Sequence, residues 1–178
     1  MKPKTAAPKA QKKQQKPQPP AKPKAKAAPS PTPKPKQAAG GVISCPCGSG
    51  KPFETCCEPY LTGAKPAPTA QALMRSRFTA FARGDIDYVL RSWHPRSRPP
   101  SVDLTAAGAI VWERLEIVAC RAGGRTAQEG KVEFIAHCTI NGRPEHLHEV
   151  SRFVCENDKW YYVDGEIKQA RINKGGAA

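Results

Sequence analysis

The sequence predicts an α+β domain in which helices come first and an antiparallel meander follows. Three observations carry that reading: two capped helical stretches between residues 69 and 95, four alternating or apolar segments after residue 110, and short turn signals between those segments. Thr69 can cap a first helix that begins at Ala70, and Gly84 is placed to end it after Arg83. A second helix is expected from Asp85, its cap, to Trp93, with Pro95 as the stop. Residues 99 to 110 read as a loop that contains at most a short helix. Strands are then expected near 111–121, 130–140, 145–155 and 159–167. Asn141-Gly142 is a strong hairpin turn and Glu156-Asn157-Asp158 a short one, which makes neighbouring strands antiparallel.

Charge is distributed unevenly along the chain. Residues 1–44 hold eleven lysines, ten prolines and no acidic residue, so they carry +11 of the net +14. Almost no apolar side chain larger than alanine occurs before Val42, and burial cannot repay the entropy of ordering such a segment. It is expected to be a disordered, extended arm able to meet polyanions such as RNA or an anionic lipid surface. The remaining residues suffice for one core. No apolar run approaches the length of a membrane span and no h-region follows the first lysines, so a cytoplasmic location is expected.

Seven cysteines in a non-secreted chain argue for metal ligation rather than a disulfide framework. The tight cluster is CPCGSGKPFETCC, which places Cys45, Cys47, Cys56 and Cys57 within one short loop. Four thiolates suit a tetrahedral zinc ion, with Pro46, Gly48 and Gly50 supplying the turns and Lys51 offsetting part of the negative charge. Because adjacent side chains diverge on a helix or a strand, Cys56 and Cys57 can both ligate only from an irregular turn. The alternative is a redox-active or vicinal-disulfide pair. Cys120, Cys138 and Cys155 lie in apolar strand contexts and are expected to be core residues.

CPCGSGKPFETCC resembles the SEC-C motif found at the end of the preprotein translocase motor and in many bacterial proteins. LMRSRFTAFARGDIDYVLRSWHP (73–95) and EVSRFVCENDKWYYVDG (149–165) resemble the YchJ family. The resemblance implies a zinc knuckle followed by a nuclear-transport-factor-like domain, a curved antiparallel sheet with helices across its concave face. The expected organisation is an arm at 1–44, a knuckle at 45–66, the α+β domain at 67–172 and a flexible tail at 173–178.

Some polar residues fall where apolar ones are expected. Arg77 interrupts the stripe of Met74, Phe78 and Phe81, and Glu149 and Ser151 share a strand face with Leu147 and Phe153. With Trp93 and His94 they define a candidate pocket for a small molecule, or else an ion pair between Arg77 and Glu149 that ties helix to sheet. His146, His148 and Arg152 share a strand face with no third metal ligand nearby in sequence, and read as a solvated surface. No phosphate loop, nucleophile elbow or metalloprotease helix occurs. Two functions follow as expectations: an adaptor that meets a protein partner through its zinc knuckle, or a ligand-binding protein or enzyme with Glu149 as base.

Overall fold

A computed structural model of the chain describes residues 43–103 and 110–170. The arm before residue 43, residues 104–109 of the connector and the expected tail at 173–178 lie outside the described residues. A 3-10 turn at Phe53–Thr55 and a short helix α1 (Glu58–Leu61) precede α2 (Ala70–Arg83) and α3 (Ile86–Arg91). Four strands follow: β1 (Ile110–Ala122), β2 (Glu129–Ile140), β3 (Arg143–Glu156) and β4 (Lys159–Ala170). They pair antiparallel in the order β1-β2-β3-β4.

The local signals act as expected. Thr69 is extended at φ −149° and its hydroxyl accepts from Ala72 N at 3.0 Å, while Gly84 turns left-handed at φ 70° to end α2. Both two-residue hairpin turns expected from the sequence, Asn141-Gly142 and Asn157-Asp158, have positive φ at each position, as primed turns require. The second helix stops at Arg91, short of the expected Trp93, because the chain there leaves the helix to pair with β4. Tyr162 N donates to Ser92 O at 2.9 Å, and His94 N donates to Tyr162 O at 2.7 Å.

The core lies between α2 and one face of the sheet. Leu73, Met74 and Phe78 of α2 meet Leu115, Val132, Phe134, Ala136 and Phe153, all buried. Burying each of the larger side chains stabilises the fold by about 1.5–3 kcal/mol. Register shifts at Trp112/Arg114 and Ile117/Ala119 bend β1 around the helix, and Trp112 packs edge-on against Phe78 with ring centres 5.9 Å apart. Cys138 is buried and Cys155 half-buried, but Cys120 is exposed, contrary to the sequence expectation. It sits on β1, an edge strand with no neighbour on its outer flank among the described residues.

At its start α2 touches the sheet through small residues. Ala70 N donates to Gly123 O at 3.0 Å. A Cβ at Gly123 would lie 2.8 Å from Ala70 Cβ, and one at Gly130 would lie 2.5 Å from Gly123 Cα. These three positions have no room for larger side chains.

Candidate metal centre

The four clustered cysteines come together through a hairpin-like loop and two short helical turns. Phe53 N donates to Ile43 O at 2.9 Å and Cys45 N to Lys51 O at 2.8 Å, closing the loop. Gly48 and Gly50 both have φ of 72°, which allows the tight reversal between the two arms. Cys56 ends the 3-10 turn in an irregular conformation, φ −106° and ψ −88°, and Cys57 caps α1. That break in regular backbone lets two adjacent side chains turn to the same point.

The geometry fits a metal ion. One ligand atom from each of Cys45, Cys47, Cys56 and Cys57 lies within 4.8 Å of the others. Cys47 Sγ is 3.6 Å from Cys56 Sγ, which is 3.8 Å from Cys57 Sγ. Four sulfurs about 2.3 Å from one tetrahedral ion stand about 3.8 Å apart, so a metal can enter with little rearrangement. Before a metal binds, hydrogen bonds with Cys45 and then Cys57 lower the Cys47 pKa, while hydrogen bonds with Cys45 and then Cys47 raise that of Cys57. Neighbouring thiolates repel one another, so a metal must displace the remaining protons. Cys45, Cys47 and Cys57 are buried; Cys56 is partly exposed and lies 3.1 Å from Ser49 Oγ.

The loop packs into the core of the α+β domain. Arg75 Nη1 donates to Cys47 O at 2.6 Å, and Thr79 Oγ1 lies 3.6 Å from Cys45 Sγ. The Thr79 hydroxyl donates to Arg75 O at 3.1 Å, and its oxygen stays free to accept from the Cys45 thiol. A Cβ at Gly48 would lie 2.7 Å from Leu115 O, which shows how closely the loop meets β1. The Arg83 guanidinium covers the Phe53 ring at 4.3 Å, and Arg91 bonds Leu61 O. Arg75 and Thr79 escaped the sequence reading because both look like ordinary helix-surface residues; their spacing of four, one face of one helix, is the only signal they leave.

The other candidate residues form a separate set around Tyr162. Arg77 is buried, donates to Val89 O at 2.8 Å and Ser92 Oγ at 2.6 Å, and lies over the rings of Tyr162 and Trp93 at 4.4 and 5.1 Å. Burial pulls its pKa down to about 10, which leaves it protonated at neutral pH. Glu149 accepts from Ser151 Oγ at 2.6 Å and from Tyr162 Oη at 3.4 Å. Arg77 and Glu149 form no direct ion pair; Tyr162 lies against both. A Cβ at Gly165 would overlap the Glu149 carboxylate, so this glycine makes the space the carboxylate occupies. His94 joins a different group, with Nε2 3.3 Å from Glu156 Oε1. Burial, followed by the Glu149 charge, raises the pKa of Tyr162.

A cysteine knuckle seated on a curved-sheet domain of this kind defines a class, and comparison with known proteins agrees. Residues 44–59 match the SEC-C motif, and residues 69–165, more than half of the chain, match the middle NTF2-like domain of YchJ. The chain belongs to the YchJ family. A UPF0225 protein of Chromobacterium violaceum is 50% identical over 126 residues, covering 70% of this chain and 93% of that protein. A UPF0225 protein of Geobacter sulfurreducens is 44% identical over 124 residues, 68% of this chain and 77% of the relative. A solved SEC-C motif protein from Rhodopseudomonas palustris shares 32% identity with a TM-score of 0.62, over 70% of this chain and 98% of that one. Another, from Psychrobacter arcticus, shares 26% identity with a TM-score of 0.59, over 72% of this chain and 84% of that one. No helix among the described residues is long and apolar enough to cross a membrane.

Proposed function

We propose that the chain is a protein-binding module in which the four cysteines hold a structural zinc ion and a groove around Tyr60 receives an acidic segment of a partner protein. Zinc is favoured because four thiolates in tetrahedral arrangement satisfy it fully and leave no position for a substrate.

The observation that carries the binding reading is the distribution of charge around Tyr60. Three cavities of about 250, 450 and 230 Å³ share this residue on their walls, one of them reaching Cys56 and Cys57. Lys51, Lys65, Arg75, Arg91, Arg125 and Lys159 line them, against Asp158 as the one acidic lining residue. None of these six cations enters an ion pair among the described residues, whereas Arg114, Arg152 and Lys168 on the sheet all do. A zinc centre with four thiolates would carry −2 and offset the charges nearest it, leaving Lys65, Arg91, Arg125 and Lys159 to attract an anion. Trp160 is buried and Lys65 lies over one face of the Tyr60 ring, so the groove offers little open aromatic surface for stacking bases. An acidic peptide fits better than a nucleic acid.

The concave-face set supports a ligand site less well. Arg77 and Trp93 pack against the Tyr162 ring, Glu149 accepts from Ser151 and from the Tyr162 hydroxyl, and the four line none of these three cavities.

Metal analysis of the purified chain and titration of the 15N-labelled full chain with hexaglutamate test the proposal together. One zinc per chain that is lost on Cys45→Ser or Cys47→Ser, and peptide-induced shifts at Lys65, Arg125 and Lys159 abolished by charge reversal at those positions, are expected. Shifts confined to the arm, or a stronger groove response to an RNA oligonucleotide, would overturn the acidic-peptide reading.

A further inference from the structure

The sheet face opposite α2 gathers three of the four histidines in the chain. His137 on β2 stands directly across from His146 on β3, with ring centroids 6.4 Å apart and planes 39° from one another. Glu116 on β1 brings Oε2 to 3.5 Å from His137 Nε2. That nitrogen is shielded from solvent and has no hydrogen-bond partner, the carboxylate being too far and poorly aligned to serve as one. Two residues along β3, His148 Nε2 is already paired with Glu133 Oε1 at 2.8 Å.

A shielded ring nitrogen without a partner, next to a carboxylate and facing a second imidazole, is an incomplete polar site. We propose that His137, His146 and Glu116 form a second metal site, selective for a borderline divalent cation such as Zn²⁺ or Ni²⁺. Imidazole with one carboxylate is the ligand set such cations prefer, and hard cations such as Ca²⁺ would be poorly served by it. Two imidazoles on one ion, with metal–nitrogen bonds of about 2.0–2.1 Å, have ring centres about 5 Å apart. Side-chain rotation alone can close the remaining gap, because the backbone register already places the two residues opposite each other.

Three protein ligands leave at least one coordination position open to water or to a ligand from another molecule. The site therefore differs in kind from the closed four-cysteine centre on the other side of the sheet. One competitor is present: Arg114 Nη1 lies 3.4 Å from Glu116 Oε2, and both side chains are well exposed. Exposed pairs of this type are weak and yield to a metal that binds two further ligands.

Sequence spacing hid this site because its ligands come from three strands. His146 and His148 are visible as neighbours two apart, but His146 acquires its partner from β2 and His148 is taken by Glu133.

The test is calorimetric titration of Ni²⁺ into the full chain with its cysteine centre already loaded with zinc, with zinc release followed in parallel. One nickel equivalent per chain is expected, without loss of zinc. His137→Gln, His146→Gln and Glu116→Gln should each weaken binding by at least about tenfold, as loss of one of three ligands implies. His94→Gln should leave it unchanged. His146 is partly exposed and Glu116 exposed, so their variants remain informative if His137→Gln fails to fold. Absence of nickel binding, binding that survives both His137→Gln and His146→Gln, or binding accompanied by equivalent zinc release would overturn the proposal.

Discussion

The Arg77 guanidinium lies 4.4 Å from the centre of the Tyr162 ring, and the hydroxyl of the same tyrosine donates to Glu149 at 3.4 Å. Helix and sheet charges are thus joined through an aromatic ring instead of meeting. Arg77→Met removes two buried hydrogen bonds and leaves the Val89 carbonyl without that donor, so a loss of about 2–3 kcal/mol is expected. Glu149→Gln retains an acceptor for Ser151 and Tyr162 and should cost about 0.5–1.5 kcal/mol. A double-mutant cycle by denaturant unfolding should give a coupling below about 1 kcal/mol, because neither change strands the other charge in a direct pair. Coupling of several kcal/mol would mean that the two groups meet in solution.

Metal removal should be felt throughout the domain. Cys45, Cys47 and Cys57 belong to the same core as Leu73, Phe78 and Leu115, so chelation should lower the melting temperature of one cooperative transition instead of producing a separate early step. Acidification should act in the same direction. Cysteine ligands bind metal as thiolates, so protons compete with the ion and its contribution to stability is present at neutral pH and lost as pH falls. Metal content and circular dichroism measured on the same samples between pH 7.5 and 4 check both points.

Thr79→Val and Arg75→Gln should each weaken metal binding by about 10–100-fold, the usual effect of groups that hold ligands in place. Thr79→Val removes the hydroxyl near Cys45 Sγ, whereas Arg75→Gln loses the grip on Cys47 O. Competition with a chromogenic chelator reads the affinity. Thr79→Ser retains the hydroxyl and should restore most of the binding.

The Lys/Pro arm gives a further expectation. A chain beginning at Gly41 lacks the eleven arm lysines and should bind an RNA oligonucleotide or anionic vesicles much less tightly than the full chain. For the full chain, log affinity should fall linearly with log salt. Equal binding by the two chains in a fluorescence titration would reject this role for the arm.

Much of the fold was legible because its local signals do not conflict with its packing. Thr69, Gly84 and Asp85 cap and stop helices as their chemistry dictates, and Asn141-Gly142 forms the turn it encodes. The four cysteines were legible for the same reason, since a cluster that could hold a metal ion is written in a span of thirteen residues. What could not be read comes from contacts distant in sequence. Tyr162 is one tyrosine among four until β4 carries it between Arg77 and Glu149. Gly165 gives no hint in a strand that its missing side chain houses a carboxylate from β3. Cys120 failed as a core residue because alternation assigns a face but not whether anything covers it.

The crowding of Ala70, Gly123 and Gly130 sets a datum from which the whole helix is measured. With α2 anchored there, a rise of about 1.5 Å per residue carries Arg75 about 7.5 Å and Thr79 about 13.5 Å along the axis, to the level of the cysteine loop. A single added methyl group at Gly130 would slide or tilt that gauge, and the error would be read at the far end as misplaced cysteine ligands. The placement of the four cysteine sulfurs is therefore calibrated by residues that never approach them.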